Sequence, residues 1–267
     1  MVTQLTTFNS LYKKVVFFVK KLKLDKYVNN QGRKLALSIS DILSLALFKN
    51  SGQIETKKKL WEHMRPKCSY KTLVVNINRF FPIAIYILTL ILNYNKHNAH
   101  LVKFIDSTDI PVCQNRKAKF HKVMQQFAKW SKTGKGWFYG LKMHLITDLD
   151  GRMLSIKFTS GNTDDREVVM DLAQGMDGIF VADAGYIKEE LGKEFHEESK
   201  RVLLVKPRAN MKKLATLTEI YIYSQRMRIE LSFRTLKMFY GLVTSLPRSV
   251  FGYLANYSYA ILAYCLA

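Results

Sequence analysis

The chain of 267 residues carries 42 Lys+Arg against 21 Asp+Glu, a formal net charge of +21, with 48% hydrophobic and 12% aromatic residues. That apolar content excludes disorder as the main description, and the length suits one large domain or two small ones. So large a positive excess points to a polyanion, either nucleic acid or an anionic membrane surface, and exceeds what a small acidic substrate requires.

Residues 1–98 read as helix after helix: 8–24, a second opening at the N-cap Ser40 and running through DILSLALF, a third over 55–65 and a fourth over 70–92. This part holds 17 Lys+Arg and only Asp25, Asp41, Glu55 and Glu62, a net of +13. A basic, all-helical domain suits duplex DNA, where Lys and Arg neutralise phosphates and a helix enters the major groove. The N-terminus lacks the order of features that a secretory signal needs. Cys68, Cys113 and Cys265 show neither disulfide pairing nor metal-knuckle spacing, so a reducing cytoplasm is expected. The apolar run 80–92 is too short to cross a bilayer, and Asn256 and Ser258 interrupt the run 249–267; both are expected as core helices, with no membrane partner.

From residue 101 the pattern changes to strands. LVKFIDST is a short strand, WFYGLKMHLITD and MLSIKFTSG form a hairpin around Asp150-Gly151, and GIFVADAGY and RVLLVKPRAN are two further buried strands. Asp164 with Glu167 resembles a capping box, and IKEELGKEFHEE is helical. The order predicts an α/β sheet of mixed strand direction. Between Asp109 and Asp148 there is no acid but eight Lys and Arg, interleaved with Trp130, Trp137, Phe138 and Tyr139. Lys129, Lys132 and Lys135 are expected to meet nucleic acid phosphates, while the aromatics of 137–139 are expected to enter the core.

Asp106 and Asp183 each stand where an apolar strand, VKFI or IFVA, is expected to stop. Ligands of α/β sheets gather at such ends, although a lone Asp there is commonly a turn or cap residue. Adjacent carboxylates repel, and their usual purpose is a hard divalent cation. In the helix YSQRMRIELSFRTLK, about 100° per residue places Tyr223, Arg226, Glu230 and Lys237 on one narrow arc. Ile222, Ile229, Phe233, Leu236 and Tyr240 fall on the adjoining arc, so one stripe can pack while the other faces a site. Taken alone, that arc is better explained by an exposed i,i+4 pair of Arg226 with Glu230.

The pattern Tyr223-x2-Arg226-x3-Glu230-x6-Lys237 resembles the Y-R-E-K signature of bacterial insertion-sequence transposases of the DDE type. IDST at 105–108, WFYGLKMHL at 137–145, GNTDD at 161–165 and ADAGY at 182–186 look like blocks of insertion sequence family 982, with Ala184 departing from the Lys of many relatives. The resemblance implies an RNase H-like mixed-sheet catalytic domain over 99–267, after the helical DNA-binding domain of 1–98. In it Asp106, Asp183 and Glu230 would be the metal-binding triad for two Mg²⁺ ions, with Mn²⁺ as a substitute, and Tyr223, Arg226 and Lys237 would contact DNA phosphates. The implied reaction is metal-dependent cleavage at insertion-sequence ends, followed by 3′-OH strand transfer. The implied partner is double-stranded DNA, as terminal inverted repeats and target, bound by a homodimer in the bacterial cytoplasm at the nucleoid. A metal-dependent nuclease or resolvase of the same fold and a DNA-binding remnant are the competing readings.

Overall fold

Capping chemistry and proline set the helix boundaries of the N-terminal third. A computed structural model describes residues 2–27, 34–186, 189–197, 200–205 and 216–267, and the helices there begin with α1 (Val2–Lys21) and α2 (Ile39–Ser51). Ser38, not Ser40, caps α2. Its Oγ accepts from Asp41 N at 3.1 Å, and the Asp41 carboxylate accepts from Ser38 N at 3.0 Å, which closes a capping box. Thr56 caps α3 (Lys57–Met64) and Ser69 caps α4 (Tyr70–Arg79). The single helix expected over 70–92 is two, because α5 (Phe81–His97) leaves α4 at an angle of 42°. Pro82 lies in the first turn of α5, where its missing N–H costs nothing, whereas inside a continuous helix it would cost a hydrogen bond and a clash.

The chain divides into two compact units, residues 92–234, and residues 1–91 together with 235–267. The expected division at 98/99 therefore differs at its C-terminal end. The last helix, α10 (Val250–Cys265), is part of the helical unit, packing against α2 and α4. Its reason is composition: α10 is buried on nearly all sides from Tyr253 to Ala263, and α2 is buried just as fully from Ile42 to Phe48. Helices apolar all round satisfy each other only inside a bundle. Tyr259 spends its hydroxyl there on Ile77 O at 3.1 Å. No single helix among the described residues is long and apolar enough to cross a membrane.

The other unit is a six-stranded mixed sheet of β1 (Val102–Pro111), β2 (Lys129–Thr133), β3 (Gly136–Asp148), β4 (Met153–Ser160), β5 (Gly178–Ala182) and β6 (Arg201–Val205). β3 is central to the first half. It pairs antiparallel with β1 and β4, and over residues 136–140 with β2. β1 then pairs parallel with β5, and β5 parallel with β6. Gly140 permits the β1–β3 approach, since a Cβ there would lie 2.2 Å from Ile110 O. On one face Ile105, Ile146, Phe180 and Ala182 pack with α6 (Val169–Ala173) and with Leu191 and Phe195 of α7 (Glu189–Glu197). Asp164 caps only a 3-10 turn over Asp165–Val168 by accepting from Arg166 N, so the expected capping box with Glu167 is absent from that turn. The strand expected over 201–210 is described to Val205, and residues 206–215 lie outside the described residues.

Candidate active site

Side chains alternate along β1, so Phe104, Asp106 and Thr108 share the face opposite the Ile105 core. Asp106 is not at the strand end as expected but in the middle of β1, opposite Leu145 of β3. The strand runs on because Ser107 to Pro111 keep pairing with β3, a partner that local apolarity does not reveal. Asp183 does follow its strand, directly after β5, and is exposed. Because β5 pairs in parallel with β1, Asp183 leaves the sheet beside the strand that carries Asp106.

The third element is broken where a continuous helix was expected. α8 (Leu217–Gln225) and α9 (Met227–Met238) meet at Arg226, whose N–H reaches back only to Tyr223 O, while Ile229 N reaches Arg226 O. These are tight i→i+3 bonds, and the turn they make puts the Arg226 side chain against the sheet. Nη2 donates to Asp106 Oδ2 at 2.7 Å and Nη1 donates to Glu230 Oε1 at 3.1 Å. One guanidinium thus bridges two of the three expected ligands. The Asp106 and Arg226 side chains are 16% and 17% exposed, whereas Glu230 is 55% exposed, so the bridge runs from the interior outward.

Burial pushes Asp106 up to about 6; Arg226 and the Ser107 N–H, which donates to Oδ1 at 2.8 Å, pull it back, and the Asp183 and Glu230 charges raise it. Asp183 and Glu230 therefore each lie within electrostatic reach of Asp106. Among the described residues no three His, Cys, Asp or Glu side chains stand close enough to share a metal ion in this arrangement. Instead Arg226 links two of them, Asp106 and Glu230. The donor set nevertheless fits a hard divalent cation, since the oxygens are carboxylate and a cationic group occupies the position between Asp106 and Glu230.

The other expected phosphate contacts scatter. Tyr223 Oη donates to Val205 O at 2.6 Å, which holds that hydroxyl on β6, and Lys237 lies in the last turn of α9, beyond the division of the units. Lys129, Lys132 and Lys135 are all exposed, the first two on the edge strand β2 and the third in the turn after it. Strand alternation puts Lys132 on one face with Trp130 and Trp137, and Lys129 on the other. Phe138 and Tyr139 enter the core as expected, but Trp137 is 60% exposed.

A second polar cluster was not expected from the sequence. Lys142 and His144, on the face of β3 opposite Leu145, meet the GNTDD segment. Lys142 Nζ donates to Thr163 O at 2.7 Å and to Asp165 Oδ1 at 3.0 Å, and His144 Nε2 lies 2.8 Å from Thr159 Oγ1. Burial holds His144 down to about 4, against the pull of Asp165. Tyr186, from the ADAGY segment, is buried near Asp165 and Asp106, and its hydroxyl is raised well above the ordinary value, first by burial. The two-residue spacing of Lys142 and His144 in a strand was the available signal.

These blocks coincide with a known family. The family model described as the transposase DDE domain matches residues 96–250, more than half of the chain. A solved structure of the piggyBac transposase, in a synaptic complex with hairpin DNA, is similar in fold at a TM-score of 0.52 and 10% identity, covering 98% of this chain and 74% of that one. No curated protein matches the chain. On the extent of the family match, this chain belongs to the DDE transposase domain family.

Proposed function

We propose that this chain is a DNA transposase that cuts at insertion-sequence ends and transfers the freed 3′-OH into target DNA, with Asp106, Asp183 and Glu230 as its metal ligands. The observation that carries the reading is the convergence of Asp106 and Glu230 on one cationic group, beside the strand that delivers Asp183. An RNase H-like fold is supported by the sheet order, three antiparallel strands continued by two parallel ones. The resemblance to the Y-R-E-K signature and to insertion sequence family 982 agrees with the family match. That the structurally similar piggyBac transposase is in complex with hairpin DNA supports duplex DNA as the partner here.

Two Mg²⁺ ions held by these carboxylates would activate the attacking oxygen and stabilise the leaving one. The protein's own part is charge balance and shape. Arg226 compensates Asp106 and Glu230, and would be free to meet a phosphate if a divalent cation took over that charge. Lys132 with Trp130 and Trp137 offers one strand face where a phosphate and unstacked bases fit together.

The test is cleavage of a labelled insertion-sequence end, followed by strand transfer to a plasmid, in Mg²⁺. Cleavage with joining supports transposition; cleavage without joining indicates a nuclease or resolvase. DNA binding without either indicates a remnant.

A further inference from the structure

In the helical unit two half-buried lysines have no carboxylate partner among the described residues. Lys49, in the last turn of α2, donates to Asn50 Oδ1 at 3.1 Å and to Asn256 Oδ1 at 3.3 Å, and Lys57, at the start of α3, donates to Asn78 Oδ1. Burial pushes Lys49 down to about 8, and burial together with the charge of Lys49 pushes Lys57 down to about 8. Neutral amide oxygens orient the ammonium groups without cancelling their charge, so two like charges remain desolvated side by side.

Both line a cavity of about 460 Å³ that also meets Tyr70, Val74 and Pro247, with the exposed Arg248 at its edge. Glu55 is on the same wall, but its carboxylate is ion-paired with Lys59. A volume of this size falls within the roughly 300–1,000 Å³ of small-molecule sites and leaves room beyond a bare phosphate. Its lining thus combines cations with apolar and aromatic groups.

We propose that this cavity binds a nucleotide, its phosphate between Lys49 and Lys57 and its base toward Tyr70, Val74 and Pro247. An unpaired nucleotide of a DNA strand and a free nucleotide share that chemistry. The inference goes beyond the cleavage reading and does not depend on metal or catalysis.

Fluorescence anisotropy of dye-labelled deoxyadenosine monophosphate with the full chain tests it. Saturable binding is expected, weakened at least tenfold in Lys49→Met/Lys57→Met and severalfold in Arg248→Ala. The double variant removes two uncompensated charges, so its melting temperature is expected to be no lower than that of the unaltered chain. Should it fail to fold, Arg248→Ala, altered only at an exposed side chain, decides instead. Absence of saturable binding, affinity undiminished in the variants, or displacement by inorganic phosphate as effective as by deoxyadenosine monophosphate at equal ionic strength overturns the proposal. An oligonucleotide with one unpaired terminal nucleotide that competes better than the monophosphate assigns a DNA strand as the source; competition by the monophosphate alone assigns a free nucleotide.

Discussion

The two units treat positive charge in opposite ways. Residues 1–91 with 235–267 hold 18 Lys+Arg against four acids, while residues 92–234 hold 24 against 17. In the sheet unit several half-buried cations are matched by carboxylates, Lys142 with Asp165, Arg152 with Asp148, and Arg226 with Asp106 and Glu230, while the buried Lys103 rests on the carbonyls of His100 and Asp177. In the helical unit Lys49 and Lys57 rest on amide oxygens instead. Net charge alone would assign both regions the same task. The pairing pattern separates a unit organised around its carboxylates from one that leaves cations for an outside anion.

The sharpest break in that comparison is loss of the carboxylates. Asp106→Asn, Asp183→Asn and Glu230→Gln are each expected to reduce cleavage of a labelled end by at least about a thousandfold while duplex affinity is kept, because no basic group is removed. Asp109→Asn is the control, since Asp109 lies three residues along β1 and therefore on the opposite face from Asp106. If Asp109→Asn abolishes cleavage and Asp106→Asn does not, the assignment has the wrong face.

Next in size is a purely structural effect in the sheet unit. Gly140→Ala is expected to cost about 3 kcal/mol, at the upper end for overpacking, because its Cβ would meet the Ile110 carbonyl, which belongs to backbone and cannot step aside. Chemical denaturation of the variant measures it, and a change below about 1 kcal/mol would mean that β1 and β3 separate easily.

The salt dependence of duplex binding sharpens the contrast of charges. Each lysine that touches a phosphate contributes about 0.9 to the slope of log K against log[salt]. Replacing Lys129, Lys132 and Lys135 with Gln is expected to lower the slope by less than replacing three lysines of the helical unit, such as Lys58, Lys67 and Lys71. The reverse order would place the main phosphate track on β2.

The smallest effect concerns pH. His144 is held down to about 4 in the fold against an ordinary 6.5, so the unfolded chain takes up the proton first. Its contribution is complete above about pH 6.5 and is lost as pH falls toward 4. Melting temperatures across that range should decline less steeply in His144→Gln than in the unaltered chain; parallel curves would show that the cluster at Asp165 does not hold a neutral imidazole.

Much of the site was legible in linear order because its chemistry lies in short segments. Asp183 follows an apolar strand both in the sequence and in the fold. Ile229, Phe233 and Leu236 bury the stripe that helical periodicity assigns to them. Misreadings came where a distant partner decided the outcome. Asp106 reads as a strand end because the apolar run stops there, but register with β3 carries the strand five residues further. The arc through Tyr223, Arg226 and Glu230 assumes one helix, and the break at Arg226 turns the guanidinium from a surface cation into a bridge across the carboxylates.

From the sequence alone follow the α/β class, the basic helical beginning, the residues of the four blocks and the aspartates and glutamate worth testing. These rest on periodicity and residue chemistry, which are local. Tertiary structure decided that α10 joins the helical unit, that Arg226 stands between Asp106 and Glu230 across 120 residues of chain, and that Lys49 and Lys57 face one cavity while bonded to amide oxygens. The physical reason is that desolvation and charge pairing depend on which groups come within a few ångströms of one another, and that is set by packing between elements distant in the chain.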